Sequence, residues 1–178
     1  MDSRPILEGQ FAILRRLGEG AMGRVYLAED ILRGGCRVAL KVMRPEAGGA
    51  VRRLQQEFDV LARLAHPGIA RVYDFGPIER PISFPLDGQE EEIAGGHFLA
   101  QEYLEGIDLL EASRALHGEA GPGLASFEEL CDVAAQVGRA LDYLHSQEVI
   151  HYDIKPTNVI VAREGGAPLA RLVDFGVA

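Results

Sequence analysis

The feature that most constrains the fold is a six-residue segment with three glycines, GEGAMG at residues 18–23. Residues 11–17 before it and residues 24–28 after it are both typical of β-strands. Glycine tolerates the backbone angles of a tight connection, so the segment predicts a β-hairpin. It excludes a dinucleotide-binding fold, whose glycines lead from a strand into a helix. It also lacks the Gly-Lys-Ser/Thr ending of a Walker-type phosphate loop.

The rest of the first hundred residues continues a β-rich pattern with one helix. Residues 37–43 predict a third strand after a glycine turn, and residues 71–75 and 97–103 predict two more. Residues 51–65 repeat apolar side chains at intervals of three and four, which predicts an amphipathic helix. Residues 76–96 are acidic and contain three prolines, so we expect a long surface loop there.

The pattern becomes mainly helical after Gly106. Residues 107–116 predict a short helix, and Ser126 with Glu129 forms a capping box ahead of a long one. Short strands are predicted at residues 159–161 and 169–173, separated by a glycine turn at residues 165–166. The apolar face of the long helix is expected to consist of Phe127, Leu130, Ala134, Val137, Leu141 and Leu144.

These patterns predict an α+β protein of two parts. Residues 1–104 form a β-rich lobe with one helix and a linker, and include the insertion at 76–96. Residues 105–178 form the beginning of a mostly helical lobe. A chain of 178 residues is long enough for such a fold to bury a sizeable core.

The net charge of −9 is concentrated in the second part and argues against nucleic acid as a partner. The chain has neither a leader-like start nor an apolar run long enough for a membrane segment. Its two cysteines have no metal-ligand spacing and fit a reducing compartment. We therefore expect a cytoplasmic protein.

Lysine is used at only two positions, Lys41 and Lys155, whereas the other 16 basic residues are arginines. A chain of this kind is expected to keep lysine where a compact ammonium is needed, with chance as the alternative. Lys41 lies in a strand, where exposure on the wet face is the default interpretation. Glu57 in the next helix could pair with it. At ~4 Å and an effective dielectric near 20, that attraction is about 4 kcal/mol before desolvation.

The segment VIHYDIKPTNVIV, residues 149–161, places three polar groups between two apolar runs. Asp153 on such a fixed loop could orient a hydroxyl group and accept its proton. Lys155 could neutralise a transferring phosphoryl group, and the Asn158 oxygen suits Mg²⁺, as does the carboxylate of Asp174 in VDFG. Turn chemistry explains any one of these residues, but it does not explain the ordered set.

Together these motifs resemble those of the protein kinases, in order and approximate spacing, over the whole chain. They are GEGAMGRV, VALK, the helix glutamate, HYDIKPTN and VDFG. The Asp-x-Lys-Pro form of the loop resembles that of the Ser/Thr kinases, and its overall sequence resembles that of their bacterial eukaryotic-like members. The resemblance implies a protein-kinase-like fold with a complete N-terminal lobe and the first part of the C-terminal lobe. It also implies ATP and Mg²⁺ as cofactors and a protein Ser/Thr hydroxyl as acceptor.

The resemblance further implies a nucleotide site and a set of catalytic and metal-binding residues. Lys41, paired with Glu57, would contact the α and β phosphates, and the glycines would cover the phosphates. Glu102 and Leu104 would offer backbone hydrogen bonds to the adenine, and Asp108 would bind the ribose. The nucleotide-binding residues are Gly18, Gly20, Gly23, Val25, Ala39, Lys41, Glu102, Leu104, Asp108 and Ile160. The catalytic residues are Asp153, Lys155, Lys41 and Glu57, and the metal ligands are Asn158 and Asp174.

Two departures from the family pattern carry expectations of their own. Tyr152 replaces the arginine that usually receives an activation-loop phosphate, so we expect control by such phosphorylation to be absent. The chain stops two residues after the VDFG motif. We therefore expect a fragment that continues into, or associates with, the rest of the C-terminal lobe and regulatory domains. Alone it should have weak activity or none.

Two other function classes stay open. A regulatory module could bind nucleotide without transferring phosphate. A small-molecule phosphotransferase of related fold is less consistent with the Asp-x-Lys-Pro and Asp-Phe-Gly motifs.

Overall fold

The computed structural model describes residues 4–20, 23–45, 55, 58–118 and 123–174, and these residues form two compact units. The first unit consists of Met1–Arg63 and Arg71–Tyr103, and the second of Leu64–Ala70 and Leu104–Ala178. The lobe boundary at residue 104 inferred above stays a prediction. Among the described residues, no helix has the length and apolar character needed to span a bilayer.

A six-stranded antiparallel sheet forms the first unit, in the spatial order β1-β2-β3-β4-β8-β5. Its long central strands pair over most of their length, and each of them contains β-branched or aromatic residues, which favour a strand. The strands are β1 (Ile6–Leu7), β2 (Phe11–Gly20), β3 (Gly23–Asp30), β4 (Cys36–Met43), β5 (Val72–Pro77) and β8 (His97–Glu102). The strands predicted around the glycine segment and at residues 37–43, 71–75 and 97–103 are thus confirmed.

One face of this sheet carries the hydrophobic core of the first unit. Tyr26, Leu40 and Phe98 point into it, each less than a tenth exposed. Side chains alternate across a strand, so the odd-numbered neighbours in β3 and β4 point to the other face. The face that carries Tyr26, Leu40 and Phe98 therefore has a structural role, and the opposite face remains available for a functional one.

The expectation of a surface loop at residues 76–96 is wrong. The segment contains a β-hairpin of β6 (Ile82–Leu86) and β7 (Gln89–Ile93). Its turn is Asp87-Gly88, with φ of 51° and 80°, which matches the twist of paired strands. Phe84 and Ile93 are only 4% and 3% exposed, because the hairpin packs its apolar face into the core.

Only part of the helix predicted at residues 51–65 falls within the described residues. Residues 58–61 are helical, and the Ala62 N–H donates to the Phe58 carbonyl over 2.8 Å. The Phe58 ring stacks on Phe75, with centroids 5.7 Å apart, which anchors this turn to the sheet. Glu57 lies outside the described residues.

The second unit combines a small sheet with two helices. Its strands, in the order β11-β10-β9, are β9 (Ile107–Asp108), β10 (Val159–Glu164) and β11 (Ala167–Leu172). Its helices are α1 (Leu109–Arg114) and α2 (Phe127–Ser146), and one-turn 3-10 helices lie at Ala115–His117 and Pro156–Asn158. The strands predicted near residues 160 and 171 are confirmed. The helix predicted from residue 107 begins at Leu109 instead, because Ile107 and Asp108 pair with β10.

The long helix α2 begins as predicted, but its buried face differs from the expected one. Ser126 accepts the Glu129 N–H over 3.2 Å, while the Glu129 carboxylate accepts from the Ala125 N–H. The fully buried residues are Val133, Ala140 and Leu144.

Phe127 is 69% exposed and Ala134 is exposed, so the predicted apolar face is wrong for those two positions. At 100° per residue the buried face is rotated by roughly 70° from the predicted one. Gln136 explains the rotation. Its amide donates to the Pro168 carbonyl and accepts from the Ala170 N–H, both over 2.9 Å, which turns this side of the helix toward β11.

If the β6–β7 hairpin is part of the core, truncating its buried aromatic ring should destabilise the protein strongly. We expect Phe84→Ala to lower the free energy of unfolding by about 3–5 kcal/mol, through lost burial and a cavity. Ser83→Ala, at the exposed neighbouring position, should change it by less than about 0.5 kcal/mol. Chemical denaturation measures both values. Equal small effects would show that the segment behaves as a surface loop.

Candidate functional site

Of the three glycines in the hairpin, only one is required by the packing of the described residues. Gly23 has φ of 147°, and a Cβ atom there would collide with the Val42 carbonyl oxygen. A Cβ at Gly18 or Gly20 would meet no atom within 4 Å, and neither residue has a positive φ. Packing among the described residues therefore explains Gly23. The other two glycines leave an open strip of backbone that a ligand could approach.

Three predicted nucleotide-binding residues share the sheet face opposite the core. Val25 pairs with both Gly18 and Lys41 in the strand register, and Ala39 lies two residues before Lys41 on the same strand. Directly paired residues point to the same face, so Val25, Ala39 and Lys41 lie together. Lys41 is partly buried there. The predicted Lys41–Glu57 pair stays a prediction, since Glu57 lies outside the described residues.

The predicted linker residues Glu102 and Leu104 differ in their surroundings. The Glu102 N–H already donates to the Arg71 carbonyl over 2.7 Å, and its carboxylate accepts the Arg71 N–H over 3.2 Å. The Glu102 N–H is therefore already engaged by Arg71. Leu104 is partly buried at the start of the second unit, outside any strand.

Asp108 and Ile160 are paired directly across β9 and β10. Asp108 also caps α1, where its Oδ1 accepts the Glu111 N–H over 2.8 Å. The close approach of the two strands depends on Gly106, where a Cβ would lie 2.9 Å from the Ile160 Cγ2. Asp108, assigned to the ribose, and Ile160, assigned to the adenine, thus lie on the same face of one small sheet. The capping role of Asp108 was missed by sequence analysis.

The polar loop is organised around the buried side chain of Asn158. Its amide nitrogen donates to the backbone carbonyl and to the Oδ2 of Asp153, both over 2.9 Å, and lies 3.5 Å from the Asp174 carbonyl. Backbone bonds fix Asn158 in turn: its N–H donates to the Lys155 carbonyl and its carbonyl accepts the Val173 N–H. Four predicted residues, Asp153, Lys155, Asn158 and Asp174, are therefore brought together.

Lys155 and Asn158 hold Asp153 in its ionised form. The Lys155 ammonium donates to Asp153 Oδ2 over 2.7 Å. This bond, more than the weaker contribution of Asn158, holds the pKa of the Asp153 carboxyl below its usual value, against an opposing effect of desolvation. The carboxylate is therefore an acceptor at neutral pH and retains Oδ1 for another donor.

The backbone beside these residues is held in an unusual conformation. Tyr152 and Asp174 have φ of 61° and 52°, in the left-handed region that non-glycine residues seldom adopt. The preceding residue, His151, is 1% exposed, and its Nε2 donates to the Val173 carbonyl over 3.2 Å. Burial lowers the pKa of His151, which favours the neutral ring. Tyr152 is 67% exposed, so its side chain does not explain this strain.

The oxygen atoms of Asn158 and Asp174 fit a magnesium ion chemically. With the Asn158 nitrogen committed to Asp153, its Oδ1 remains as the metal-binding atom of the amide, and Asp174 supplies a carboxylate. Both are hard oxygen ligands of the kind that Mg²⁺ prefers, with water and phosphate oxygens completing its shell. No cluster of three or more His, Cys, Asp or Glu suited to a metal occurs within the described part of the chain. Such a small protein contribution is usual for Mg²⁺.

Comparison with known proteins gives a family match over most of the chain. The family model described as "Protein kinase domain" matches residues 11–178. The chain is 32% identical to the serine/threonine-protein kinase pkn2 of Myxococcus xanthus, over 97% of the chain and 18% of that protein. It is 34% identical to PknF of Mycobacterium tuberculosis, over 98% of the chain and 34% of that protein.

Solved structures give the same result. The crystal structure of a point mutant of the PknI kinase domain of Mycobacterium tuberculosis superposes with a TM-score of 0.69 and 32% identity. The match covers 100% of this chain and 64% of that one. A kinase-like fold is therefore confirmed. The chain spans well under half the length of the curated relatives named above.

Replacing Lys155 by Met should raise the pKa of the Asp153 carboxyl toward the ordinary value for aspartate, because the main bond to its ionised form is lost. Carbon-detected NMR titration of the Asp153 carboxyl measures this change. The stabilising effect of the pair is present above the ordinary pKa of aspartate and is lost as pH falls through the lowered one. Arg139→Met removes one charge from an exposed site on α2 and should leave the Asp153 pKa unaltered. An unchanged Asp153 pKa in Lys155→Met would contradict the proposed origin of the shift.

Proposed function

Because the chain belongs to the protein kinase family, we propose that it binds ATP with Mg²⁺ and supplies the residues that transfer the γ-phosphoryl group to a Ser or Thr hydroxyl of a protein. The observation that carries this proposal is the bonding of Asn158, Lys155 and Asp153 in one polar loop. The names of the relatives, which are serine/threonine-protein kinases, support the choice of acceptor.

The first unit would supply the binding of the phosphates. At Gly18 and Gly20 the backbone is open where side chains would stand, so N–H groups could approach phosphate oxygens closely. Lys41 on the same sheet face would add a compact positive charge. Val25 and Ala39 are apolar neighbours of Lys41 suited to an adenine ring.

The second unit would supply the chemistry. Asp153, kept ionised by Lys155, would accept a hydrogen bond from the acceptor hydroxyl and then its proton. Once the acceptor and nucleotide are bound, Lys155 could also neutralise charge on the transferring group. Asn158 and Asp174 would hold Mg²⁺, which when bound neutralises the developing charge on the phosphate oxygens. Asp108 and Ile160 would contact the nucleoside.

The protein around this chain is also part of the proposal. The relatives are several times longer than the matched segment, so we propose that this chain works together with the remainder of a kinase C-terminal lobe and with regulatory domains. Cys36 and Cys131 are free thiols, which is consistent with a reducing cytoplasmic location. The low activity expected of the chain alone stays a prediction.

Nucleotide binding tests the proposal without depending on turnover. Lys41→Met should weaken Mg·ATP binding at least about tenfold by isothermal titration calorimetry, since it removes a cation placed for the phosphates. Arg37→Met is a matched control, because it removes one positive charge from the same strand and the same sheet face. It should change the affinity by less than about twofold.

Three outcomes distinguish the possible functions. Equal effects of the two substitutions, or no binding to the unaltered chain, would contradict the proposal. Binding that follows the prediction, with no transfer to Ser/Thr peptides by the longest available form of the protein, would favour a regulatory nucleotide-binding module. Transfer to small alcohols in preference to peptides would favour a small-molecule phosphotransferase.

A further inference from the structure

The β6–β7 hairpin carries a buried carboxylate that the proposed reaction does not use. Glu91 on β7 is 6% exposed, whereas its neighbours Glu90 and Glu92 are exposed. A carboxylate is costly to bury unless it is paired and fully hydrogen-bonded. Its partners therefore indicate why the chain keeps a charge at this position.

Among the described residues, the hydrogen-bond partners of the Glu91 carboxylate lie on the two strands of the glycine hairpin. Arg16 on β2 donates to Oε1 over 3.1 Å, and Arg24 on β3 donates to Oε2 over 3.0 Å. The buried Tyr26 hydroxyl donates to Oε2 over 2.9 Å. Burial and this bond raise the pKa of Tyr26 to about 12, so its hydroxyl remains a donor at all ordinary pH values.

A second carboxylate extends the network to the tip of the hairpin. Glu19 lies between two of the glycines, and its Oε2 is 3.4 Å from Arg16 Nη1. Its Oε1 is 3.6 Å from Arg24 Nε. Arg24 also donates to the Glu92 backbone carbonyl over 3.1 Å. The two arginines therefore connect the glycine segment to β7. Both bond to the Glu91 carboxylate, and Arg24 also bonds to the Glu92 backbone.

The register places this network on the side of the hairpin away from the proposed phosphates. Arg24 and Tyr26 alternate with Val25 along β3, so they point to the face opposite Val25. Arg16 pairs with Tyr26 and Glu19 pairs with Arg24, which puts all four on the same face. Val25 and Lys41 occupy the other face. The β6–β7 hairpin thus supports the glycine hairpin from behind.

Support of this kind matters because the glycine hairpin has open backbone at two of its three glycines. No atom lies within 4 Å of where a side chain would begin at Gly18 or Gly20, and glycine gives the backbone wide freedom. A ligand that needs one arrangement of these N–H groups loses affinity in proportion to the time they spend elsewhere.

We propose that Glu91 is a positioning residue for the phosphate-binding backbone: through Arg16 and Arg24 it holds the glycine hairpin in the arrangement that receives the ATP phosphates. This inference rests on the proposed function of the hairpin and extends it to a segment outside the matched motifs. Glu91 itself contacts neither nucleotide nor acceptor.

The test compares a ligand that has phosphates with one that lacks them. Mg·ATP and adenosine are each titrated by calorimetry into the unaltered chain, Glu91→Gln and Glu90→Gln. Glu91→Gln keeps the size of the side chain, but it replaces one acceptor oxygen by an amide donor and loses the charge that holds both arginines. It should weaken ATP binding by roughly fivefold or more, within the usual range of coupling between sites, and leave adenosine binding unchanged. Glu90→Gln, at the exposed neighbouring position, should alter neither affinity.

Each outcome decides between positioning and a general structural role. Equal loss of ATP and adenosine affinity, or no loss of ATP affinity, overturns the inference. If Glu91→Gln does not fold, Arg16→Gln is judged by the same criterion, since it removes one partner at a partly exposed position. Failure of the unaltered chain to bind either ligand would overturn the proposed function, and the inference with it. Normal binding with a non-selective Glu91→Gln would overturn the inference alone.

Discussion

The hydrogen bonds from the Asn158 amide to Asp153 are the interaction on which the candidate site depends. Asn158 is buried, and its backbone is tied to Lys155 on one side and to Val173 on the other. The amide nitrogen therefore has a fixed position, and it fixes the Asp153 carboxylate. The orientation of the amide oxygen follows from the same bonds. One side chain thus couples the placement of the proposed proton acceptor to that of a proposed metal ligand.

A different principle organises the first unit, where one hairpin presents two unlike faces. Tyr26, Arg24 and Arg16 on one face are held by Glu91, while Val25 and Gly18 on the other are apolar or bare. Alternation along a strand makes this division automatic once the register is set. A rigid support and the proposed phosphate-binding surface can therefore occupy the same two strands. The buried charge is hydrogen-bonded to two guanidinium groups and a phenol, which offsets part of the cost of its burial.

Sequence reasoning succeeded where a residue type has few alternative uses. The glycine segment, the strands around it and the polar loop were all found from local pattern, and the loop residues do lie together. It failed at residues 82–93, where acidic residues and prolines outweighed the Asp87-Gly88 hairpin signal. The face of α2 was misjudged because Gln136, a polar residue, turns toward the β11 backbone. The partners of Glu91 are distant in sequence, so no local pattern could have revealed them.

NMR relaxation with Mn²⁺ replacing Mg²⁺ tests directly whether the Asn158 amide oxygen binds the metal. Substoichiometric Mn·ATP should broaden the side-chain amide signals of Asn158 strongly, because the account places the metal on the oxygen of that amide. The Gln136 side-chain amide, which is bonded to β11 in the same unit, should be affected far less, and Mg·ATP should broaden neither. Asn158 signals that stay sharp, or that broaden no more than those of Gln136, would show that the metal does not bind at the Asn158 amide.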